Sequence, residues 1–297
     1  TKILVDCGLH QGSSFCEAHN WEPFAYDPAS IAAVFVTHAH IDHTGRLPVL
    51  ARNGFRANVY ATPPTRDASE LLLLDSGHIL EQEAQRFGKP VLYAPDDVAH
   101  LMARWQPVEY HAPVTVGPFT VTLISAGHIL GSSSILIEAG GKRVLVSGDL
   151  GNAPAPIIGA WEQPREADYC LIESTYGDRV HEDVATRQDK LEDIIEDTVA
   201  RRGVLMIPAF AMERTQELLF ELNNLIEAGR VPKVPVFLDS PLAIKLTDLY
   251  RRYERYFTPE TQALMRASRG GIFEFPGLRK TLTTEESKKI NEAPAPK

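Results

Sequence analysis

Val36-Thr37-His38-Ala39-His40-Ile41-Asp42-His43-Thr44-Gly45 puts three histidines and one aspartate within six residues, directly behind the apolar run Ala33–Val36. Side chains two apart on a strand share a face, so His38 and His40 can meet one metal ion. The turn that follows swings Asp42 and His43 towards another. A His-x-His pair alone arises easily by chance. Buried imidazoles without partners are costly, however, so packing does not account for the whole cluster.

Metal sites close with residues from elsewhere in the chain, and two further strand ends supply them. His128 follows the expected strand Phe119–Ser125 in Ser125-Ala126-Gly127-His128, and Asp149 follows Val144–Ser147 in Ser147-Gly148-Asp149-Leu150-Gly151. Each has the same design: a strand, small residues that let the backbone turn tightly, then one ligand-type side chain. Asp6 ends the first strand, Ile3–Asp6, in the same way. Its functional reading is to orient a ligating imidazole; the plain alternative is a turn aspartate. Gly77-His78-Ile79-Leu80 repeats Gly127-His128-Ile129-Leu130 but sits inside a periodic helical run, so His78 is expected on a helix and not among the ligands. His10, His19, His100, His111 and His181 lack any comparable context. Imidazole and carboxylate without thiolate suit zinc best, with iron or manganese as substitutes. Two metals sharing Asp149 would hold a bridging hydroxide, and the chemistry implied is hydrolysis.

The 297 residues, 44% hydrophobic and 23% charged, form an ordinary globular chain long enough for one large or two modest domains. This excludes disorder, collagen-like repeats and a disulfide scaffold. Cys7, Cys16 and Cys170 are odd in number and scattered, as expected of reduced thiols in a cytoplasmic protein. The densest apolar run, Leu71–Leu74, is cut by Asp75, so no membrane partner is expected. With 30 basic against 39 acidic residues the formal charge is −9, which argues against gripping nucleic acid through global positive charge. Bound cations and local arginines would have to meet a polyanion instead. Arg46, three residues after His43, is the nearest candidate substrate contact.

Strands are also expected at Ile135–Glu138 and Tyr169–Ile172, with Gly140-Gly141 turning a hairpin, and helices at Arg66–Phe87 and Asp97–Trp105. After Tyr176-Gly177 the pattern becomes helix Val184–Arg202, strand Val204–Ile207, helix Arg214–Ala228, strand Val234–Leu238 and helix Leu242–Tyr256. That alternation implies a parallel α/β unit distinct from the hairpin-rich first half. A domain boundary is expected at 177/178.

The set Asp6, His38-Ala39-His40-Ile41-Asp42-His43, His128 and Asp149 resembles the sequence motifs of the metallo-β-lactamase fold. Glu173-Ser174-Thr175-Tyr176-Gly177-Asp178-Arg179, Ile207-Pro208-Ala209-Phe210-Ala211-Met212-Glu213-Arg214-Thr215-Gln216-Glu217-Leu218 and Leu238-Asp239-Ser240-Pro241-Leu242-Ala243 are similar to those of the β-CASP RNA-processing nucleases within it. The resemblance implies an α/β chain: an αββα sandwich over residues 1–177 with an inserted β-CASP cap over 178–297, both incomplete. It implies two Zn2+, one on His38, His40 and His128 and the other on Asp42 and His43, with Asp149 bridging. Asp42, Asp149 and Glu173 become the catalytic candidates, Glu173 matching the family's motif A acid. It further implies a single-stranded RNA substrate, an endo- or 5′-exonucleolytic ribonuclease, and the family's habit of homodimerisation, for which the sequence identifies no interface. The family's motif B and motif C histidines would lie past the end of this sequence. These residues alone are therefore expected to hold the first zinc better than the second and to be weakly active or inactive. A thioester hydrolase of the same fold lacks the cap. A non-catalytic RNA-binding or scaffold paralogue typically loses ligands, whereas every visible ligand position is filled here.

Overall fold

The computed structural model describes residues 1–152, 155–164, 166–180, 186–268 and 271–297. His181 and the first two residues of the expected helix 184–202 lie outside the described residues. The chain divides into two compact units, Thr1–Ala155 with Gly159–Glu173, and Pro156–Ile158 with Ser174–Lys297.

The first unit holds β1 (Lys2–Val5), α1 (Ser14–Ala18), β2 (Ile31–Phe35), α2 (Ile41–Thr44), α3 (Leu47–Arg52), β3 (Asn58–Ala61), α4 (Pro63–Phe87), α5 (Pro95–Met102) and β4 (Trp105–Pro107). These are followed by β5 (Val114–Val116), β6 (Phe119–Ser125), β7 (Ser133–Ala139), β8 (Lys142–Val146) and β9 (Tyr169–Leu171). Strands β1-β2-β3-β4 form a wholly parallel sheet. In the second sheet, β5-β6-β7-β8-β9, the first three pairings are antiparallel and β8/β9 is parallel. Gly140 and Gly141, both at positive φ, turn the β7–β8 hairpin.

Period-two alternation on β2 shows how the layers assemble. Val34 and Val36 face one core with Leu47, Leu50, Leu73, Leu101 and Trp105, beneath α3, α4 and α5. Ala33 and Phe35 point the other way, against Val121, Leu123 and Ile135 of the second sheet. A central strand buried on both faces reads as a continuous apolar run, which is why Ile31–Phe35 carries no polar residue. Thr62 caps α4 by accepting from Thr65 N, and Gly88 at φ 65° ends it. The expected helix Asp97–Trp105 stops at Met102. Trp105 instead starts β4, its backbone pairing with Val59 and its ring buried.

The second unit holds α6 (Arg187–Ala200), α7 (Arg214–Glu227), β10 (Val236–Leu238), α8 (Pro241–Arg252), α9 (Pro259–Ala267), β11 (Leu278–Lys280) and α10 (Thr284–Lys289). β10 and β11 pair in parallel. The amphipathic α7 and α8 bury Leu219, Leu222, Leu225, Ile226, Leu246, Leu249 and Tyr250. The expected strand Val204–Ile207 is corrected, since it joins no ladder. Leu205 N donates to Lys297 O at 3.0 Å, and an apolar cavity of about 650 Å³ is lined both by Val204–Ala209 and by Val234–Ser240. α8 also stops short of the expected Tyr256, giving way to a single tight turn over Glu254–Tyr256. No helix among the described residues is long and apolar enough to cross a membrane.

Candidate metal centre

Among the described residues, the side chains that meet at the site leave from the ends of β1, β2, β6 and β8 and from α2 in the first unit. Asp6 continues the β1/β2 pairing, its N–H donating to Phe35 O at 2.9 Å, and then takes φ 59°. That left-handed backbone is tolerated by aspartate better than by most residues. The chain then runs along α2, with Cys7 N donating to His43 O and Leu9 N to Ile41 O. A Cβ at Gly8 would fall 1.5 Å from Asp42 O, so only glycine permits this approach. His128 is held by Ser132, whose Oγ accepts from the N–H groups of His128 and Ile129 at 3.0 and 3.1 Å. Gly148 at φ 58° turns the chain from β8 into Asp149.

Two donor groups result. His38, His40, His128 and Asp149 converge, as do Asp42, His43 and Asp149, with one ligand atom of each within 4.8 Å of the others in its group. In the first, His38 Nε2 lies 3.0 Å from His40 Nδ1, His128 Nε2 lies 3.3 Å from the same atom, and Asp149 Oδ2 is 3.7 and 3.6 Å from His38 and His128. In the second, His43 Nε2 is 3.1 Å from Asp149 Oδ1 and 3.7 Å from Asp42 Oδ2. The two oxygens of Asp149 thus address different groups.

The electrostatics differ between the groups. Burial, reinforced by the neighbouring rings, holds His38 well below the usual histidine range, pushes His40 down to about 4 and lowers His128. Three neutral rings therefore aim nitrogens at one point. Lone pairs that face one another repel, and a cation between them removes the conflict, so this donor set fits a borderline metal such as zinc. His43 is the exception. Burial disfavours its charge, but hydrogen bonds to Asp149 and Asp6 outweigh that and push it up to about 10. Asp149 is lowered chiefly by the hydrogen bond from His43.

Asp6, Asp42, Asp149, His38, His40, His43 and His128 are thus brought together. Glu173 joins them from beyond β9: its Oε1 accepts from Leu150 N at 3.0 Å and its N–H donates to Ser147 Oγ, tying down both sides of Asp149. Arg46, the expected substrate contact, is engaged by other partners. Its backbone N–H is drawn to Cys7 O, and its guanidinium donates to Glu22 O at 2.6 Å and covers the Phe24 ring at 4.4 Å, leaving it 8% exposed. His78 lies on α4, hydrogen-bonded to Gln82, and belongs to neither group. Sequence reasoning missed Thr37, Ser132, Ser147 and Gly151. Small residues within four positions of a ligand are the signal they give.

Two family models match the chain, a beta-lactamase superfamily domain over residues 1–206 and a Beta-Casp domain over residues 215–297. The chain is 37% identical over 295 residues to a ribonuclease, TTHA0252, of Thermus thermophilus, covering 99% of this chain and 65% of that protein. It is 31% identical to the transcription termination factor FttA of Methanosarcina mazei, covering 100% of this chain and 47% of the relative. It is also 32% identical to the cleavage and polyadenylation specificity factor subunit 3-I of Arabidopsis thaliana, covering 84% of this chain and 36% of the relative. The chain therefore spans less than two thirds of these relatives. The metal-donor clusters at its strand ends and the two matched domains together make it a member of the β-lactamase superfamily, of the branch that carries a β-CASP domain.

Proposed function

We propose that this chain is the catalytic part of a zinc-dependent ribonuclease that hydrolyses phosphodiester bonds of single-stranded RNA with two metal ions. Residues 1–177 would serve as the hydrolase domain and 178–297 as the β-CASP cap. The observation that carries the reading is the division of Asp149, with Oδ2 towards His38 and His128 and Oδ1 towards His43. One carboxylate addressing two donor groups suits a two-ion site better than two independent ones. The names of two relatives, a ribonuclease and a cleavage and polyadenylation factor subunit, support RNA as the substrate. Three free cysteines suit a reducing, cytoplasmic setting.

His38, His40 and His128 with Asp149 Oδ2 would hold one ion, and Asp42 and His43 with Asp149 Oδ1 the other. When bound, zinc supplies an acidified water and offsets charge on the phosphate. The chain's own contribution is preorganisation. Burial favours the neutral form of His38, His40 and His128, each with one ring nitrogen free to donate a lone pair. Asp6 holds the His43 ring by Nδ1, and Glu173 fixes the turn that carries Asp149 while serving as the candidate acid.

The test is to incubate the full-length protein with 5′-labelled single-stranded RNA, with and without a chelator, and to read product lengths. Cleavage that chelation stops and added zinc restores is the expected result. Cleavage indifferent to chelation, or none from zinc-loaded protein, would overturn the reading.

A further inference from the structure

Thr37 stands between β2 and His38 with its side chain fully buried. Its Oγ1 lies 2.7 Å from Asp6 Oδ2, 3.0 Å from His38 Nδ1 and 3.3 Å from His43 Nδ1. Counting protons sets the direction of these contacts. A carboxylate only accepts, so the Thr37 hydroxyl spends its one proton on Asp6. The oxygen can then only accept from His38, which must carry its proton on Nδ1. His38 Nε2 is left as a bare lone pair, and that is the atom facing His40 Nδ1 and Asp149 Oδ2.

The hydroxyl has little freedom to turn away. Thr37 N donates to Asp6 Oδ1 at 2.7 Å, and Thr37 O accepts from Ser133 N at 2.7 Å, so its backbone is held from both sheets. A Cβ on Gly148 would come within 2.8 Å of the Thr37 Cβ, so the turn leading to Asp149 packs directly on this side chain. One carboxylate, Asp6, thereby orients His43 directly and His38 through Thr37.

We infer that Thr37 is a positioning residue that fixes the tautomer of His38 and so sets the metal affinity of the four-residue donor group. The inference rests on the reading of His38 as a ligand. Without the hydroxyl, His38 is free to move its proton to Nε2, where it competes with the metal for the same lone pair.

The experiment compares the full-length wild type with Thr37→Val, Thr37→Ser and His38→Ala, by calorimetric titration of metal-free protein with Zn2+ and by 15N histidine spectra of the metal-free state. Thr37→Val, nearly equal in shape, is expected to weaken the tighter site by roughly 10–100-fold, the usual effect of removing a group that orients a ligand. Its His38 signal should move from the Nδ1–H to the Nε2–H pattern. Thr37→Ser should restore both readouts. Unchanged affinity in Thr37→Val while His38→Ala abolishes binding would overturn the role of Thr37 alone. Unchanged affinity in His38→Ala would remove His38 as a ligand and the inference with it. Should Thr37→Val not fold, an Nε2–H pattern for His38 in the wild type overturns the inference by itself.

Discussion

Oδ2 of Asp6 lies 2.7 Å from Nδ1 of His43, 37 residues later in the chain. β1 and β2 run in parallel with Val5 beside Phe35, and just past the strand end Cys7 N donates to His43 O, which brings the two residues together. Replacing Asp6 by Asn keeps the volume and removes the charge. We expect zinc affinity of the group containing His43 to fall by roughly 10–100-fold, with a smaller loss at the group containing His38. Titration calorimetry that returned wild-type affinities for both would show that the contact does not orient the ligand.

Acid and base should destabilise the metal-free protein for opposite reasons. His40 is lowered to about 4 from an ordinary 6.5, so between those values the unfolded chain binds the extra proton and stability falls as pH drops. His43 is raised from 6.5 to about 10, so its contribution is complete below 6.5 and is lost as pH climbs to 10. Melting temperature against pH in chelator should therefore form a dome with its top near 6.5. A flat profile from 4 to 10 would contradict this assignment of charges.

The same asymmetry governs metal uptake. A metal on His43 Nε2 must displace a proton held up to about 10, whereas His38, His40 and His128 are already neutral at pH 7. Zinc affinity of the three-residue group should rise roughly tenfold per pH unit through neutrality, while that of the four-residue group stays nearly constant. Removing zinc from protein held at about 100 times its Kd should cost about 2.7 kcal/mol of stability. Two equal, pH-independent sites in a titration would refute this picture.

Glu173 and Leu150 give a way to separate charge from scaffolding. Glu173→Gln retains an oxygen to accept from Leu150 N, so zinc binding should persist while turnover on RNA falls. Glu173→Ala leaves that N–H without this acceptor and should weaken zinc binding as well. Equal metal affinities in the two variants would show that the Glu173–Leu150 bond does not hold Asp149 in place.

Gly151 is a purely steric case. A Cβ there would fall 1.6 Å from Gly127 O, directly before His128. Gly151→Ala must push the two ligand-bearing turns apart, at a cost of about 1–3 kcal/mol, and zinc affinity should drop with it. Wild-type melting temperature in this variant would mean that the turns separate freely.

Much of the site can be read from the sequence because its residues occupy local positions with strong signatures. Each of His38, His128 and Asp149 stands just past an apolar run, the last two directly after a glycine, and strand ends are where a buried sheet delivers side chains to a site. The helices Arg214–Glu227 and Pro63–Phe87 are legible for a similar reason, the first through its apolar period and the second through the Thr62 and Gly88 that cap it, both local signals. Where the sequence misleads, the deciding contact is remote. Val204–Ile207 has strand composition, but a strand needs a partner at hydrogen-bonding distance, and no ladder forms there.

The sequence by itself determined that this chain is a layered α/β protein with a His- and Asp-rich metal centre. Those statements depend on residue type, periodicity and spacing along the chain. Only the tertiary structure decided that Asp149 turns one oxygen to each donor group, that carboxylates push His43 up while burial pushes its neighbours down, and that Thr37 connects Asp6 to His38. Those facts depend on ångström distances and burial across four strand ends far apart in sequence, and proton placement follows from them.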